Sequence, residues 1–442
     1  MEFQDFSRKY CVIGGGPSGL TAVKNLQDWG IPCDAIERED DVGGNWYYGK
    51  PNSSVYESTH LISSKRMTEY VDYPMPDDYP PYPSHQQVLR YLRGYAKHFN
   101  LYASYQFNCA VESITQERDQ WLVQISGETL PRLYAGVIIA NGHHWKPKLP
   151  SFPGEFSGEL IHSHDYKTPD LLAGKNVLVV GAGNSGCDIA VEAAIHAKTA
   201  TISMRRGYHF VPKFIRGKPT DVVGDRVRRW PIPQALQRMI AKFSIQWTLG
   251  KPEKYGLPKP DHELFQTHPI INSQLPYYVG HGRIQVRPNI KRLRGNGIEF
   301  EDGTQESFDL VVCATGYEVS FPFIDQQYLH WQDGAPKLYL HAFHPKYDNL
   351  FISGMIQPNS GQWGLTDLQA QLIARFIVAC RTDIAKADWL RALKHTSGVG
   401  IQDPVKYLKS DRHRLEVDYF QYRETTKNLI ARFGDQQALA SE

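Results

Sequence analysis

The apolar positions of this chain fall into one local pattern that occurs twice. Tyr10-Cys11-Val12-Ile13 is an unbroken apolar run of strand length, and Gly14-Gly15-Gly16-Pro17-Ser18-Gly19 follows it directly. Beyond that turn Leu20, Val23 and Leu26 recur at helical spacing up to about Trp29, and Gly30 stands where a helix ends. The second copy is Val177-Leu178-Val179-Val180, then Gly181-Ala182-Gly183-Asn184-Ser185-Gly186, then a helix through Ile189 and Ala193. Strand, glycine turn and helix, met twice, predict an α/β fold with two Rossmann-like dinucleotide-binding domains. Between the copies, Tyr70 to Pro83 is rich in Pro and Tyr and reads as loop, and a helix is predicted from about Gln86 to His98. The strand-like run Gly136 to Ala140 leads to Pro147, Pro150 and Pro153, which read as a hinge. Residues 208–280 carry many prolines and few clean periods, so irregular structure is expected there. Phe308 to Thr315 reads as an apolar strand by which the chain returns to its first domain. The expected division is therefore a discontinuous first domain, residues 1–165 and 308–442, with residues 166–307 as an inserted second domain.

Each glycine in such a turn has a separate task. The first permits the sharp bend, the second lets the backbone approach a pyrophosphate, and the third lets helix and strand pack closely. A pyrophosphate there meets free N–H groups and the positive end of the helix dipole. The end of the following strand discriminates between nucleotides. In the first copy Cys33 to Ile36 leads to Glu37, whose carboxylate suits a ribose diol and repels a 2′-phosphate, pointing to FAD. In the second, Thr199 to Met204 leads to Arg205 and Arg206, which suit a 2′-phosphate and favour NADPH over NADH. The plain alternatives are a solvated strand end for Glu37 and a solvated surface for the arginines. A flavin site and a nicotinamide site on one chain imply hydride transfer from NADPH to flavin, and leave the final electron acceptor open.

Composition narrows the picture. The 442 residues suffice for two or three domains, and 41% hydrophobic with 22% charged content is that of a globular protein. With 49 basic against 47 acidic residues there is no overall field to gather nucleic acid or a membrane. No window approaches a membrane span and the N-terminus lacks the features of a signal peptide, so a cytoplasmic protein without nucleic-acid or membrane partners is expected. The basic run Arg226 to Arg229 with Trp230 reads as a solvated face, with a membrane-surface or partner contact as the alternative. Six scattered cysteines without a C-x-x-C pair argue against structural zinc and against a dithiol centre. His143-His144 point apart on an extended segment, and His341 and His344 lack companions at ligand spacing, so no metal is expected. No G-x-S-x-G elbow supports a serine hydrolase. The aromatic stretch Tyr70 to Tyr82, beside Asp77 and Asp78, reads as packing rather than as a nucleic-acid surface.

One further motif, Phe156-x-Gly158-x-x-x-His162-x-x-x-Tyr166, resembles the fingerprint of the flavin-containing monooxygenases. The larger Baeyer–Villiger enzymes carry Trp where this chain has Tyr166. Val179 to Ala190, Gly43 to Trp46, Ser63 to Met67, Val71 to Pro76, Tyr82 to His85, His268 to Pro276 and Cys313 to Tyr317 are also similar to that family, so the resemblance spans residues 10–370. It implies an FAD domain made of both chain ends and an inserted NADPH domain. It also implies a flavin C4a-hydroperoxide, guarded by retained NADP⁺ in a dry pocket, that oxygenates an amine, a sulfide or a small ketone. By resemblance Gly14, Gly16, Gly19, Glu37, Asn45 and Trp46 hold FAD. Gly181, Gly183, Ser185, Gly186, Arg205 and Arg206 hold NADPH. His162 and Tyr166 order the interdomain linker by packing. Gln362 or Thr366, in the turn after the strand Leu350 to Ile352, lies by the flavin ring, the plain alternative being a loop that serves only the fold. The family's T-N-x-S-K motif corresponds to Leu61-Ile62-Ser63-Ser64-Lys65. Ile62, Ser64, Lys65 and Gln362 are thus the candidate catalytic set, with Ile62 and Ser63 beside the cofactor. Ile62 stands where the family has Asn and can make no hydrogen bond, although plant indole-pyruvate-type members also depart here. This predicts a shorter-lived hydroperoxide or a shifted substrate range. The leading reading is NADPH- and O₂-dependent oxygenation of a small nucleophile. An NADPH oxidase or flavin reductase releasing H₂O₂, and a non-catalytic redox sensor, remain the alternatives. A homodimer is left open.

Overall fold

A strand buried on both faces of a parallel sheet needs apolar side chains at every position. Both glycine-flanked runs meet that requirement, since Tyr10 to Ile13 and Val177 to Val180 are all buried. The computed structural model describes residues 2–264, 266–268, 270–396, 398, 400 and 414–434. The chain forms two units, the first made of Met1–Ser53, Lys65–His143 and Val319–Glu442, the second of Ser54–Ser64 and His144–Glu318.

In the first unit, Tyr105–Gln106, Cys33–Ile36, Gln4–Ile13 and Arg132–Ile139 lie side by side in that order, all parallel. Arg132–Ile139 has two partners on its far side. Its first half pairs antiparallel with Gln120–Ile125, which pairs in turn with Val111–Glu117, and its second half pairs parallel with Leu350–Ile352. The helices Pro17–Asp28 and Trp363–Thr382 are tied by a buried hydrogen bond in which Asn25 Nδ2 donates to Asp367 Oδ1 at 2.8 Å. The helix His85–His98 starts at a capping box of Ser84 and Gln87, close to the expected Gln86. The Tyr- and Pro-rich loop packs as expected. Tyr70 is fully buried, with ring centroids 4.4 Å from Tyr95 and 5.8 Å from Trp363.

The second unit is built on five parallel strands in the order Ile284–Arg287, Thr199–Ser203, Asn176–Val180, Leu310–Cys313, Glu159–His162. Leu310–Cys313, expected to return to the first domain, instead sits inside this sheet between Asn176–Val180 and Glu159–His162, Leu310 opposite Val177 and Glu159. An unbroken apolar run announces a central parallel strand but carries no mark of which sheet will take it. The boundaries expected at residues 165 and 308 shift accordingly, to His144 and Val319, and the short run Ser54–Ser64 also joins the second unit. Residues 208–280 are less irregular than expected, because they contain the helices Thr220–Arg228, Gln234–Leu249 and Gln274–Gly280. Pro231 and Pro233 precede the second of these, where proline needs no backbone donor, so they start the helix rather than break it.

Candidate functional site

The two glycine turns have the same geometry. Gly14 has φ +110° and Gly181 φ +105°, a region closed to residues with a side chain. A Cβ on either would stand 2.6 Å from a carbonyl oxygen, Ala140 in one unit and Ala314 in the other. Gly14 N–H donates to Ile36 O at 2.9 Å and Gly181 N–H to Ser203 O at 3.0 Å. The third glycines, Gly19 and Gly186, lie so close to the Gly14 and Gly181 carbonyls that a side chain would collide with them. Neither helix carries an acid in its first turn or a side-chain cap, so the positive end of each helix dipole faces its glycine turn. Each turn also lies where the sheet order reverses. Gln4–Ile13 passes through its helix to Cys33–Ile36 on one side and meets Arg132–Ile139 on the other. Asn176–Val180 has Thr199–Ser203 and Leu310–Cys313 in the same relation. Crevices at such switch points are where open α/β sheets bind ligands.

The second glycine of the first turn tests whether a nucleotide fits. A Cβ on Gly16 would meet only Gly44 Cα, at 3.5 Å, so the protein's own packing does not demand glycine there. An approaching pyrophosphate does demand it. Asn45 and Trp46 lie beside this turn, since Gly43 N–H donates to Gly15 O at 2.9 Å and Gly44 leaves no room for a Cβ against Gly16. Glu37 is buried at the end of its strand, accepting from the N–H groups of Gly15 and, at 2.9 Å, Glu39. Burial pushes its carboxyl above the usual carboxylate range.

The second unit differs at the matching position. The pairing of Gly14 with Ile36 and of Gly181 with Ser203 makes Met204, also buried, the counterpart of Glu37. A thioether cannot hold a ribose diol as a carboxylate does. Arg205 follows and is exposed, without an ion-pair partner among the described residues. Arg206 is already engaged, with Nη2 and Nε 2.9 and 3.1 Å from Asp261 Oδ2.

The flavin-binding monooxygenase-like family model matches residues 7–439. The chain belongs to this family. It is 33% identical over 446 residues to flavin-containing monooxygenase 5 of Rattus norvegicus, covering 96% of this chain and 83% of the relative. Among solved structures it is similar to S-allyl-L-cysteine S-oxygenase from Allium sativum, with TM-score 0.66 and 20% identity over 98% of this chain and 89% of that one. An open structure of cyclohexanone monooxygenase matches with TM-score 0.68 and 19% identity over 97% and 98% of the two chains. These two likenesses show the shared fold. The chain is an FAD-dependent monooxygenase of this family.

The family motif Leu61–Lys65 is divided between the units. Ile62 and Ser63 are half-buried in the second, where Ser64 N–H donates to Asp221 Oδ2 at 2.6 Å. Lys65 opens the next stretch of the first unit, its ammonium donating to the carbonyls of Pro76, Asp77 and Tyr79 at 2.9, 3.1 and 2.7 Å. With three donors so engaged, Lys65 holds the Tyr- and Pro-rich loop in place and has no proton free for a substrate. Gln362 precedes the helix Trp363–Thr382, and its amide donates to Gly354 O at 3.0 Å and Ile356 O at 2.7 Å, fixing the turn before it. Thr366 is fully buried and its hydroxyl donates to Trp363 O, so only its methyl approaches the packed surface near Gly354. That turn adjoins the first glycine turn, because a side chain on Gly354 would strike Ser18. His162 and Tyr166 lie within the second unit, His162 in a sheet strand. His162 Nε2 is 2.9 Å from Gly316 O, and Tyr166 donates to Glu192.

Sequence reasoning missed a polar cluster beside the second turn. Asp188 accepts from Tyr56 Oη at 3.2 Å and Asn272 Nδ2 at 2.8 Å, and burial pushes its carboxyl up to about 6. Asn184 Oδ1 accepts from Ile271 N–H at 2.8 Å. Asp188 and Asn184 thereby dock the segments around Tyr56 and Asn272 onto the helix that follows the turn. The signal was present in the sequence as a lone acid within Cys187-Asp188-Ile189-Ala190. Among the described residues no group of three His, Cys, Asp or Glu could hold a metal, and no helix is long and apolar enough to cross a membrane.

Proposed function

We propose that this monooxygenase uses NADPH and O₂ to oxygenate an N- or S-centred nucleophile or a small ketone, binding FAD at Gly14–Gly19 and NADPH, in preference to NADH, at Gly181–Gly186. The observation that carries the reading is one turn built twice with different neighbours: a buried carboxylate, Glu37, in one unit and Met204 followed by exposed Arg205 in the other. The chemistry a bound flavin supplies is hydride acceptance from the nicotinamide and delivery of one oxygen atom of O₂ to the substrate. The protein's share is to hold and enclose. Gly14, Gly16 and the helix N-terminus would hold the FAD pyrophosphate, and Glu37 would accept from the ribose hydroxyls. Trp46 and Trp363, edge to face at 6.1 Å, give that side an apolar wall that limits water. Gln362 keeps the neighbouring turn rigid. Relatives acting on sulfur and on ketones support the substrate classes without choosing between them.

Ile62 favours a second reading, in which part or all of the reducing power leaves as hydrogen peroxide. The test is a balance sheet of NADPH consumed, peroxide released and oxygenated product formed, with a tertiary amine, a thioether and a cyclic ketone. Product exceeding peroxide for one class is the expected result, and Ile62→Asn should lower the peroxide share several-fold. Peroxide equal to NADPH with all three classes would replace the oxygenase assignment by an oxidase. Cofactor binding with negligible NADPH consumption would leave the redox-sensor reading.

A further inference from the structure

The segment Ser54–Ser64 carries Ile62 and Ser63, and the second unit grips it at both ends. At its start Tyr56 is buried. The Tyr56 hydroxyl donates to Asp188 Oδ2 at 3.2 Å, and its ring meets that of Tyr166 edge on, with centroids 5.6 Å apart. Glu57 N–H donates to Lys167 O at 2.9 Å. At its end Ser64 is 1% exposed, and its N–H donates to Asp221 Oδ2 at 2.6 Å. Ile62 and Ser63 immediately precede that bond.

Both grips involve one short hairpin. Phe214–Ile215 pairs antiparallel with Lys218–Pro219, and Thr220 N–H donates to Lys213 O at 3.0 Å, so Lys213 lies next to the residue before Asp221. Lys213 is half-buried, and its charge favours the ionised form of Asp188 against burial. Asp221 stands in the first turn of the helix Thr220–Arg228, where the helix dipole favours a carboxylate, and its Oδ1 accepts from Val222 N–H at 2.8 Å. A charged acceptor holds a backbone N–H more firmly than a neutral one. With Ser64 buried, loss of this acceptor leaves a donor that water does not readily satisfy, and the segment must shift to pair it. Packing alone asks for no charge at position 221, whereas fixing one N–H in space does.

We propose that Asp221 is a positioning residue of the reaction: through Ser64 N–H it sets where Ile62 and Ser63 stand, and with that how much reducing power leaves as hydrogen peroxide. Lys213, acting through Asp188 and Tyr56, steadies the other end of the same segment. Asp221 acts through the backbone, not on a reacting atom. Its bond to Ser64 is independent of the cofactor assignment. Its effect on peroxide rests on the function proposed above, with Ile62 and Ser63 beside the cofactor.

The experiment compares the purified flavoprotein with its Asp221→Ala and Asp221→Asn variants. Hydrogen exchange, followed by mass spectrometry on peptides spanning residues 61–67, should be roughly tenfold or more faster at Ser64 in Asp221→Ala, from the loss of one charge-assisted bond. Asp221→Asn keeps an acceptor oxygen and should fall between that variant and the parent. The peroxide share of the NADPH consumed should rise several-fold in the same order, while KM for NADPH stays near the parent's because Arg205 and Gly181–Gly186 are untouched. A residue that served only the fold would change flavin content and melting temperature and leave that share as it was. Visible circular dichroism of the bound flavin, read without turnover, should change together with the exchange rate. That signal and the rate of flavin reduction by NADPH replace the share if the parent already releases all its reducing power as peroxide, which keeps failure of the oxygenase assignment apart from failure of this one. If the alanine variant does not fold, the asparagine variant carries the test with a smaller expected change. Unchanged exchange at Ser64 would overturn the proposal. So would faster exchange with the peroxide share, the reduction rate and the dichroism all as in the parent.

Discussion

Arg205 and Arg206 are adjacent in sequence, but the structure predicts unequal shares in recognising NADPH. Arg205 is exposed and free of ion pairs among the described residues, whereas Arg206 is held by Asp261 at 2.9 Å. A guanidinium meeting a 2′-phosphate makes a charge-assisted hydrogen bond, discounted here because water screens the exposed side chain. Roughly five- to thirtyfold in kcat/KM is then expected from Arg205→Ala with NADPH, and almost none with NADH. Arg206→Ala should cost less, about threefold, since its charge is already shared. Asp261→Asn should act in the other direction, freeing Arg206 and raising the preference for NADPH. Steady-state rates with NADPH and NADH, read from the loss of the reduced nicotinamide absorbance, give the preference ratio for each protein. The ratio should also shrink with added salt, whose screening length falls to about 3 Å at 1 M. An unchanged ratio in Arg205→Ala, or a larger loss in Arg206→Ala, would refute the reasoning and move the 2′-phosphate elsewhere.

Two further perturbations test other parts of the structure. Gly16→Ala should leave the melting temperature of flavin-free protein nearly unchanged, because its Cβ meets only Gly44 Cα at 3.5 Å, yet should weaken FAD binding in a titration. Gly19→Ala should destabilise the flavin-free protein itself by about 1–3 kcal/mol or more, because its Cβ collides with the Gly14 carbonyl; equal effects of the two in a melting assay would sink the distinction. His344 is buried, its Nδ1 accepts from the N–H groups of Lys346 and Tyr347 at 3.0 Å, and burial pushes its pKa down from 6.5 to about 3. As pH falls the unfolded chain takes up the proton first, so stability is full above pH 6.5 and declines towards the folded-state value, by up to about 1.4 kcal/mol per pH unit. His344→Asn keeps an acceptor without a titrating ring and should flatten the acid limb of the melting temperature against pH, a limb that stays as steep if His344 is not the cause.

Much of the site was legible because its determinants are local. A glycine with φ near +110°, a Cβ-free approach to a carbonyl and an apolar strand before the bend all lie within a few residues of one another, so Gly14–Gly19 and Gly181–Gly186 were identified from spacing alone. Glu37 was legible for the same reason, since strand length fixes how far beyond the turn its side chain falls. Met204 was not singled out as its counterpart, because that requires the pairing of Gly181 with Ser203. The roles of Lys65 and Thr366 were not legible either. Each is a polar side chain consumed by backbone carbonyls, and no residue pattern announces which carbonyls will surround it.

What the sequence determined by itself was therefore the α/β class, the two glycine turns, the acid after one and its absence after the other. These depend on backbone conformations and periodicities that neighbouring residues dictate. Only the tertiary structure decided that Leu310–Cys313 completes the second sheet, that Ser54–Ser64 belongs with it, and that Asp188 gathers Tyr56 and Asn272. Strand pairing and buried polar contacts join residues far apart in the chain, and an apolar run or a lone acid is chemically compatible with many partners until packing selects one. The same holds for Gln234–Leu249: its apolar positions could have been read from the sequence, but whether Phe243 and Trp247 faced the core or the solvent was settled by which side of the helix Ile245 buries.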